Sequence, residues 1–354
     1  MNSTLVVGPD LPRAARPRWG QVAAGVSVLL AAGLAGLLIG PAGLEVNDVL
    51  RALGDGLPFL DVPHGLTETQ LDILWQLRLP RVVLGAIVGA ALAISGAAYQ
   101  GVFRNPLADP YLLGVAAGAG FGATLAFVLA PGAAIGPVAL LPIAAFAGSL
   151  VGVGLTYGVG RTLGDRSNAA LILAGVAVAS FLTALQTFIQ QRNTDTLREV
   201  YSWILGSIST LGWSEVLLAL PYAGLATIVI FLHRRLLDVL AVGEEESRSL
   251  GVSTGRVRAT VVVAASLGTA AAVAVSGLIG FVGIIVPHAV RLLTGWSYRV
   301  IIPLSALFGG AFLVAADLVA RSVMSPAELP IGVVTAFLGA PFFAVVMRST
   351  RRMR

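Results

Sequence analysis

Ser95–Gly114, SGAAYQGVFRNPLADPYLLG, decides how this chain is read. It starts inside an apolar run, breaks that run at Asn105-Pro106 and Asp109-Pro110, and gives way to a second apolar run from Tyr111. A residue before proline is pushed off helical backbone, so Asn-Pro-Leu-Ala-Asp-Pro reads as a turn between two helices. A similar stretch, SGLIGFVGIIVPHAVRLLTG, occupies Ser276–Gly295. In both, Ser-Gly is followed at equal spacing by a proline (Pro106, Pro287) and a glycine (Gly114, Gly295). Ser276 lies 181 residues after Ser95, close to half of 354. With about five spans per half, an odd count, the two halves are expected to be inverted, a plan used by membrane transporters.

Composition sets the class around that stretch. Hydrophobic residues make up 56% and charged residues 12%, against roughly 25% charged in soluble domains. Mean hydropathy is +0.88, and several apolar runs approach the length that crosses a bilayer. Gly is abundant, at 42 residues, which suits close packing of membrane helices. The expectation is an all-α polytopic membrane protein of about ten spans. They are Trp19–Ile39, Val82–Phe103, Leu112–Leu129, Val138–Val159, Ala169–Ile189, Val216–Leu232, Ala259–Val275, Leu278–Leu293, Ile301–Val319 and Gly332–Met347. The eighth and tenth are short, and the eighth contains Pro287. Residues 1–354 form one transmembrane domain, with 18–208 and 213–348 as its five-span halves. The run from Trp19 is too long for the apolar core of a signal peptide, so it reads as an uncleaved helix. Leu44–Leu57 reads as a short interfacial helix, followed by a loop to Gln70.

All 23 basic residues are Arg, and there is no Lys or Cys. Without Lys there is no P-loop, and without Cys there are neither disulfides nor thiolate metal sites. The sequence pI near 10.2 does not point to nucleic acid, because the arginines are scattered between apolar runs. With the amino terminus inside, seventeen arginines fall on inner segments. The six outer ones are Arg51, Arg78, Arg81, Arg192, Arg198 and Arg321. That asymmetry predicts cytoplasmic termini.

Two polar segments remain. Arg234–Arg258 is the longest inner loop, in which Gly243 and Gly251 bracket a short helix, Glu244–Leu250, and Ser253 is placed to cap the next helix. Outside, Thr194–Ser207 reads as a short helix with Thr194 as its cap and Trp203 at the membrane boundary. Asp317 is an intramembrane carboxylate, and Arg321, one turn on, is placed to pair with it. His288 beside Pro287 reads as structural, and His64 and His233 form no metal spacing.

The run Arg78-Leu79-Pro80-Arg81, then SGAAYQGVFRNPLADPYLLGV, GFVGIIVPHAVRL and AELPIGVVTAFLGAPFF resembles the permease family of ATP-driven importers for iron-siderophores, haem and cobalamin. The resemblance covers nearly all of Leu77–Met347. It implies a ten-span subunit in the cytoplasmic membrane that pairs with a second copy of itself. Two ATP-binding subunits would bind inside, carrying ATP-Mg on their own chains, and a substrate-binding protein would dock outside. No cofactor, metal or catalytic residue is then expected in this chain.

The resemblance also assigns roles. Glu244, Glu245, Glu246, Ser247, Arg248, Ser249, Leu250, Gly251 and Val252, within 236–258, match the segment that couples to the ATPase. Asn105 and Leu107, with Asn168 and Ala169, match an inner gate; relatives often carry small hydroxyl residues at the latter pair. Arg78, Arg81 and Arg321 match arginines that receive acidic residues of the binding protein, a task that suits a bidentate guanidinium. Gln186 and Gln190 share a helix face near the outer end of the fifth span and are candidates for substrate contact. An ion-coupled secondary transporter would also use inverted halves, but normally needs several buried ionisable groups. An intramembrane enzyme would need a nucleophile or metal constellation, and neither HExxH nor GxSxG stands on a span.

Overall fold

The computed structural model describes residues 17–40, 42–57, 59, 61–135, 138–162, 168–210 and 212–352. Of the inner arginines, Arg13, Arg16, Arg166 and Arg354 lie outside what it describes, as do the side chains of Asn168, Arg348, Arg351 and Arg352. The helices are α1 (Trp19–Leu38), α2 (Val46–Asp55), α3 (Glu68–Phe103), α4 (Val115–Leu129), α5 (Leu140–Thr162), α6 (Asn168–Arg192) and α7 (Leu197–Ile204), then α8 (Ser214–Val242), α9 (Glu244–Ser249), α10 (Thr254–Ser276), α11 (Val282–Thr294), α12 (Tyr298–Ser322) and α13 (Ile331–Arg352). A two-residue ribbon, Ala134–Ile135 against Val138–Ala139, joins α4 to α5.

Among the described residues, seven helices (α1, α3, α5, α6, α8, α10 and α12) are long and apolar enough to cross a membrane, and α4, α11 and Ile331–Phe342 are shorter apolar helices. The most apolar stretches of α3, α10 and α12 are 72, 78 and 67% buried, against 28% in each of α5, α6 and α8 and 17% in α1. Three helices therefore form the centre, and the others turn apolar faces outward.

Helix α3 approaches α12 and α11 closely where glycine leaves room. A Cβ on Gly89 would lie 2.2 Å from the Gly309 carbonyl oxygen, and one on Gly96 only 1.8 Å from that of Gly283. Between apolar helices in lipid, such backbone proximity supplies the packing that the hydrophobic effect cannot. The contacts also set direction. Gly89 lies against Gly309 and Gly101 against Tyr298, so α3 and α12 are antiparallel. One end of the bundle carries the turn Arg104–Gly114 and the start of α12. The opposite end gathers Arg78, Arg81 and Arg321. These are called below the turn end and the arginine end.

Three expectations are corrected. First, α3 starts at Glu68 rather than at the expected Val82. A π-helical turn at Ile73–Arg78 leads into Pro80, which has no N–H to donate to the Gln76 carbonyl. That carbonyl accepts instead from the Gly212 amide at 2.8 Å, and the Trp75 carbonyl accepts from Trp213 Nε1 at 3.1 Å. Second, the eighth apolar run is helical only from Val282; Gly277–Gly280 is irregular. Third, Thr194 does not cap α7, because a 3₁₀ turn, Thr194–Thr196, precedes that helix.

The stretches read as copies have unlike structures. Ser95 is inside α3 whereas Ser276 ends α10, and Pro106 is in a turn whereas Pro287 is inside α11. They are joined to each other instead. Pro287 cannot donate to the Gly283 carbonyl, which accepts from Gln100 Nε2 at 3.2 Å. Gln100 Oε1 accepts in turn from Arg291 Nη2 at 2.8 Å. The Tyr111 hydroxyl donates to the Ile279 carbonyl at 3.0 Å and accepts from the Ile279 amide at 3.1 Å. Irregular backbone inside an apolar bundle persists only where its polar groups are paired, and the first stretch pairs those of the second.

Candidate functional site

At the arginine end, Arg78 is 7% exposed. Its guanidinium donates to the carbonyls of Leu37 (2.6 Å), Leu38 (3.1 Å) and Ala42 (2.6 Å). The last carbonyls of a helix have no intrahelical donor, so Arg78 closes the end of α1. Both terminal nitrogens of Arg78 thus donate within the chain.

Arg81 reaches two carboxylates. Its Nε and Nη2 donate to Asp317 at 2.8–3.2 Å, and its Nη1 and Nη2 donate to Glu328 at 2.8 and 2.9 Å. Asp317 is buried on α12, whereas the Glu328 side chain is 45% exposed in the link between α12 and α13. The fork of Arg81 holds the Glu328 carboxyl below the usual carboxylate range. Arg321 donates to the Gly36 carbonyl, and its Nε stands 3.7 Å from Asp317. The expected Asp317–Arg321 pair exists, but Arg81 is the nearer partner. These three arginines thus tie α1, α3 and α12 together.

At the turn end, Asn105 and Leu107 are exposed. Asn105 Oδ1 accepts from the Leu107 amide at 3.0 Å, and Asp109 Oδ1 from the Tyr111 amide at 2.8 Å. Each side chain folds over its proline and satisfies an amide two residues on, which is why Asn and Asp suit such turns. Ala169, at the start of α6, is exposed.

The acidic segment also stands at the turn end. The short helix α9 is bracketed by Gly243 (φ +154°) and Gly251 (φ +77°). Ser247 is buried and donates to the Val239 carbonyl at 2.8 Å and to that of Gly243, fastening α9 to α8. Glu244 pairs with Arg248 at 2.8 Å and Arg258 at 3.6 Å. Glu245, Glu246, Arg248, Ser249 and Leu250 remain exposed, Leu250 by 68%, while Val252 packs on the main core. Ser253 occupies the capping position of α10, but its side chain makes no capping hydrogen bond.

On α6, Gln186 is buried, and a Cβ on Gly120 would lie 2.8 Å from its Oε1. It lies against α4, and Gln190 is half-buried. The His288 ring meets Phe342 edge-on at 5.8 Å. Among the described residues, no group of three or more His, Asp or Glu side chains is placed to hold a metal ion.

The pattern of the FecCD transport family matches residues 28–349. The chain belongs to that family. It is 45% identical over 284 residues to the cobalamin import system permease protein of Halobacterium salinarum, covering 80% of this chain and 75% of that one. It is 37% identical over 296 residues to the hemin transport system permease protein of Yersinia pestis, covering 80% and 86%. Among solved structures, an inward-facing conformation of a metal-chelate type ABC transporter superposes with a TM-score of 0.80. That protein is 30% identical, and the match covers 93% of this chain and 98% of the other. This FecCD-family chain is therefore a permease subunit of the ABC importer type.

Sequence reasoning missed several residues that organise this FecCD fold. Glu328 lies in the quoted AELPIG motif, two residues before Pro330, yet nothing in the spacing shows that it reaches Arg81. Asp238 accepts from the Ser297 hydroxyl at 2.9 Å and from the Tyr298 amide, and pairs with Arg299 at 3.3 Å. It anchors the start of α12 to α8. Gln100 did carry a readable signal: Pro287 frees the carbonyl four residues earlier, and a buried polar side chain must fill the gap.

Proposed function

We propose that the chain forms the membrane path of an ATP-driven importer for a metal chelate such as ferric siderophore, haem or cobalamin. It works as a homodimer of ten-span subunits in the cytoplasmic membrane, with both termini cytoplasmic. The turn end faces the cytoplasm and two ATP-binding subunits, which carry ATP-Mg. The arginine end faces a substrate-binding protein. The observation that carries this reading is the family match across residues 28–349, with named relatives handling cobalamin and hemin.

Residues Glu244–Val252 act as the coupling segment. The exposed edge of α9 supports this, since Glu245, Glu246 and Leu250 are open to solvent or a partner. ATP binding draws the ATPases together, and α9, fastened to α8, passes that displacement to the spans. The nucleotide can shift the equilibrium only by its differential affinity for the two states. Asn105 and Leu107, opposed by Asn168 and Ala169, form the inner gate, with Gln190 on the path wall. Arg81 and Arg321 serve docking, with Arg78 as their internal support. Replacing Glu244–Leu250 by a Gly/Ser linker should leave an assembled dimer whose ATPase activity no longer drives uptake. Wild-type uptake by that variant would refute the assignment.

A further inference from the structure

Arg81 differs from a free docking charge in one respect: its fork is already occupied. Asp317 alone neutralises it, accepting three hydrogen bonds from it on a carboxylate that is 5% exposed. Glu328 is a second, bidentate carboxylate on the same guanidinium. Its side chain is 45% exposed against 17% for Arg81, and it sits outside any helix, in the link 323–330. An internal brace would be expected to be as buried as Asp317. Glu328 is instead the solvent-facing member of the pair.

The charges around it point the same way. Arg81 and Arg321 face Asp317 and Glu328, two positive groups against two negative. If Glu328 swings out, a single carboxylate remains against two guanidiniums, and an unfilled bidentate fork opens to solvent. The chemistry that fits this vacancy is another carboxylate, presented by the surface of a protein.

The release would also be felt nearby. Glu328 precedes α13 by three residues. The Ile331 and Gly332 amides donate to the carbonyls of Gly206 and Leu205, each at 3.1 Å, and the Ser207 amide donates to that of Ser276 at 2.9 Å. The link that holds Glu328 therefore continues into a backbone junction between α13, the end of α7 and the end of α10.

We propose that Glu328 is an internal placeholder on Arg81, which an acidic side chain of the docking protein displaces on binding. Exchange of one carboxylate for another leaves the charge balance of the guanidinium unchanged. The incoming group gains little unless it arrives pre-oriented by the rest of the interface, so stray anions do not open the site. The displaced Glu328 frees the link before α13 only when the correct protein is seated. This rests on the reading that the arginine end docks a substrate-binding protein.

The test uses the assembled importer in nanodiscs and the substrate-binding protein purified with it, with association followed by biolayer interferometry at low and physiological salt. Apparent affinity is reduced by the fraction of time Arg81 is occupied, so Glu328→Gln should strengthen binding by about threefold or more. Arg81→Gln should weaken binding by about tenfold or more at low salt, and the double variant should match Arg81→Gln. Glu328→Asp, which keeps the charge on a shorter arm, and melting curves for all variants separate docking from folding. Binding by a well-folded Glu328→Gln that is unchanged or weaker, beside weak binding by Arg81→Gln, overturns the placeholder and leaves docking intact. Wild-type binding by Arg81→Gln overturns the docking reading itself.

Discussion

Replacing Tyr111 by Phe removes one oxygen and leaves two backbone groups without partners. The hydroxyl donates to the Ile279 carbonyl and accepts from the Ile279 amide, and Ile279 is 2% exposed. Ile279 lies in the irregular stretch between α10 and α11, so neither group has a helical partner to fall back on. An unsatisfied buried group costs about 1–3 kcal/mol, which sets an upper range of about 2–6 kcal/mol for two. Hydrogen bonds between membrane helices average only about 0.6 kcal/mol, because the unfolded chain in lipid also finds partners. The non-helical backbone here makes that average too small, while local relaxation makes the full sum too large. We expect a loss of about 2 kcal/mol, read as reduced stability in SDS titration of the protein in mixed micelles. Tyr111→Phe keeps the ring in the cluster with Ala119, Ala123 and Val273, so packing is preserved and the loss reports the hydroxyl. A change below about 0.5 kcal/mol would show that the Ile279 groups do not depend on Tyr111.

Three further outcomes follow from the same structure. Arg78→Gln should lower the melting temperature by removing the donors that close α1, while association with the binding protein stays within about twofold; a docking defect without a melting shift would return Arg78 to the interface. The pair Arg81–Glu328 should persist through mild acid. The folded-state value of Glu328 lies below its unfolded value of about 4.3, so its contribution is complete above that pH and is lost only as pH falls through the lowered value. The stability difference between wild type and Glu328→Gln should therefore be flat from about pH 8 to pH 5, and its disappearance within that range would contradict the pairing. Leu107→Ala with Asn168→Gly should make the resting dimer leaky, so that liposomes preloaded with cyanocobalamin or hemin lose it without ATP; full retention would count against the gate.

Much of the fold was legible because lipid allows few solutions. Apolar runs long enough to cross a bilayer must be helices, and Asn105-Pro106 with Asp109-Pro110 had to be a turn. Gly243 and Gly251 marked the limits of α9 for the same local reason. The misreadings came from tertiary partners. Arg78 flanks an apolar run, and no local pattern shows that α1 ends beside it and offers three carbonyls. The Ser-Gly–Pro–Gly spacing resembled a repeat, yet Gln100 and Tyr111 show two different stretches completing one another. Glu328 was invisible because its partner is 247 residues away, and no local pattern records such a contact.

The central claim, that this chain is the path of an ATP-driven importer, is tested most directly by transport. The tagged chain would be purified from its own membranes in mild detergent with whatever subunits accompany it, reconstituted in liposomes, and supplied with cyanocobalamin, hemin or ferric hydroxamate with and without Mg-ATP. Uptake of one of these chelates that requires Mg-ATP, stops with vanadate and ignores ionophores is the expected result. Uptake that proceeds without ATP and collapses when ionophores dissipate the ion gradients would contradict the account and identify a secondary transporter instead.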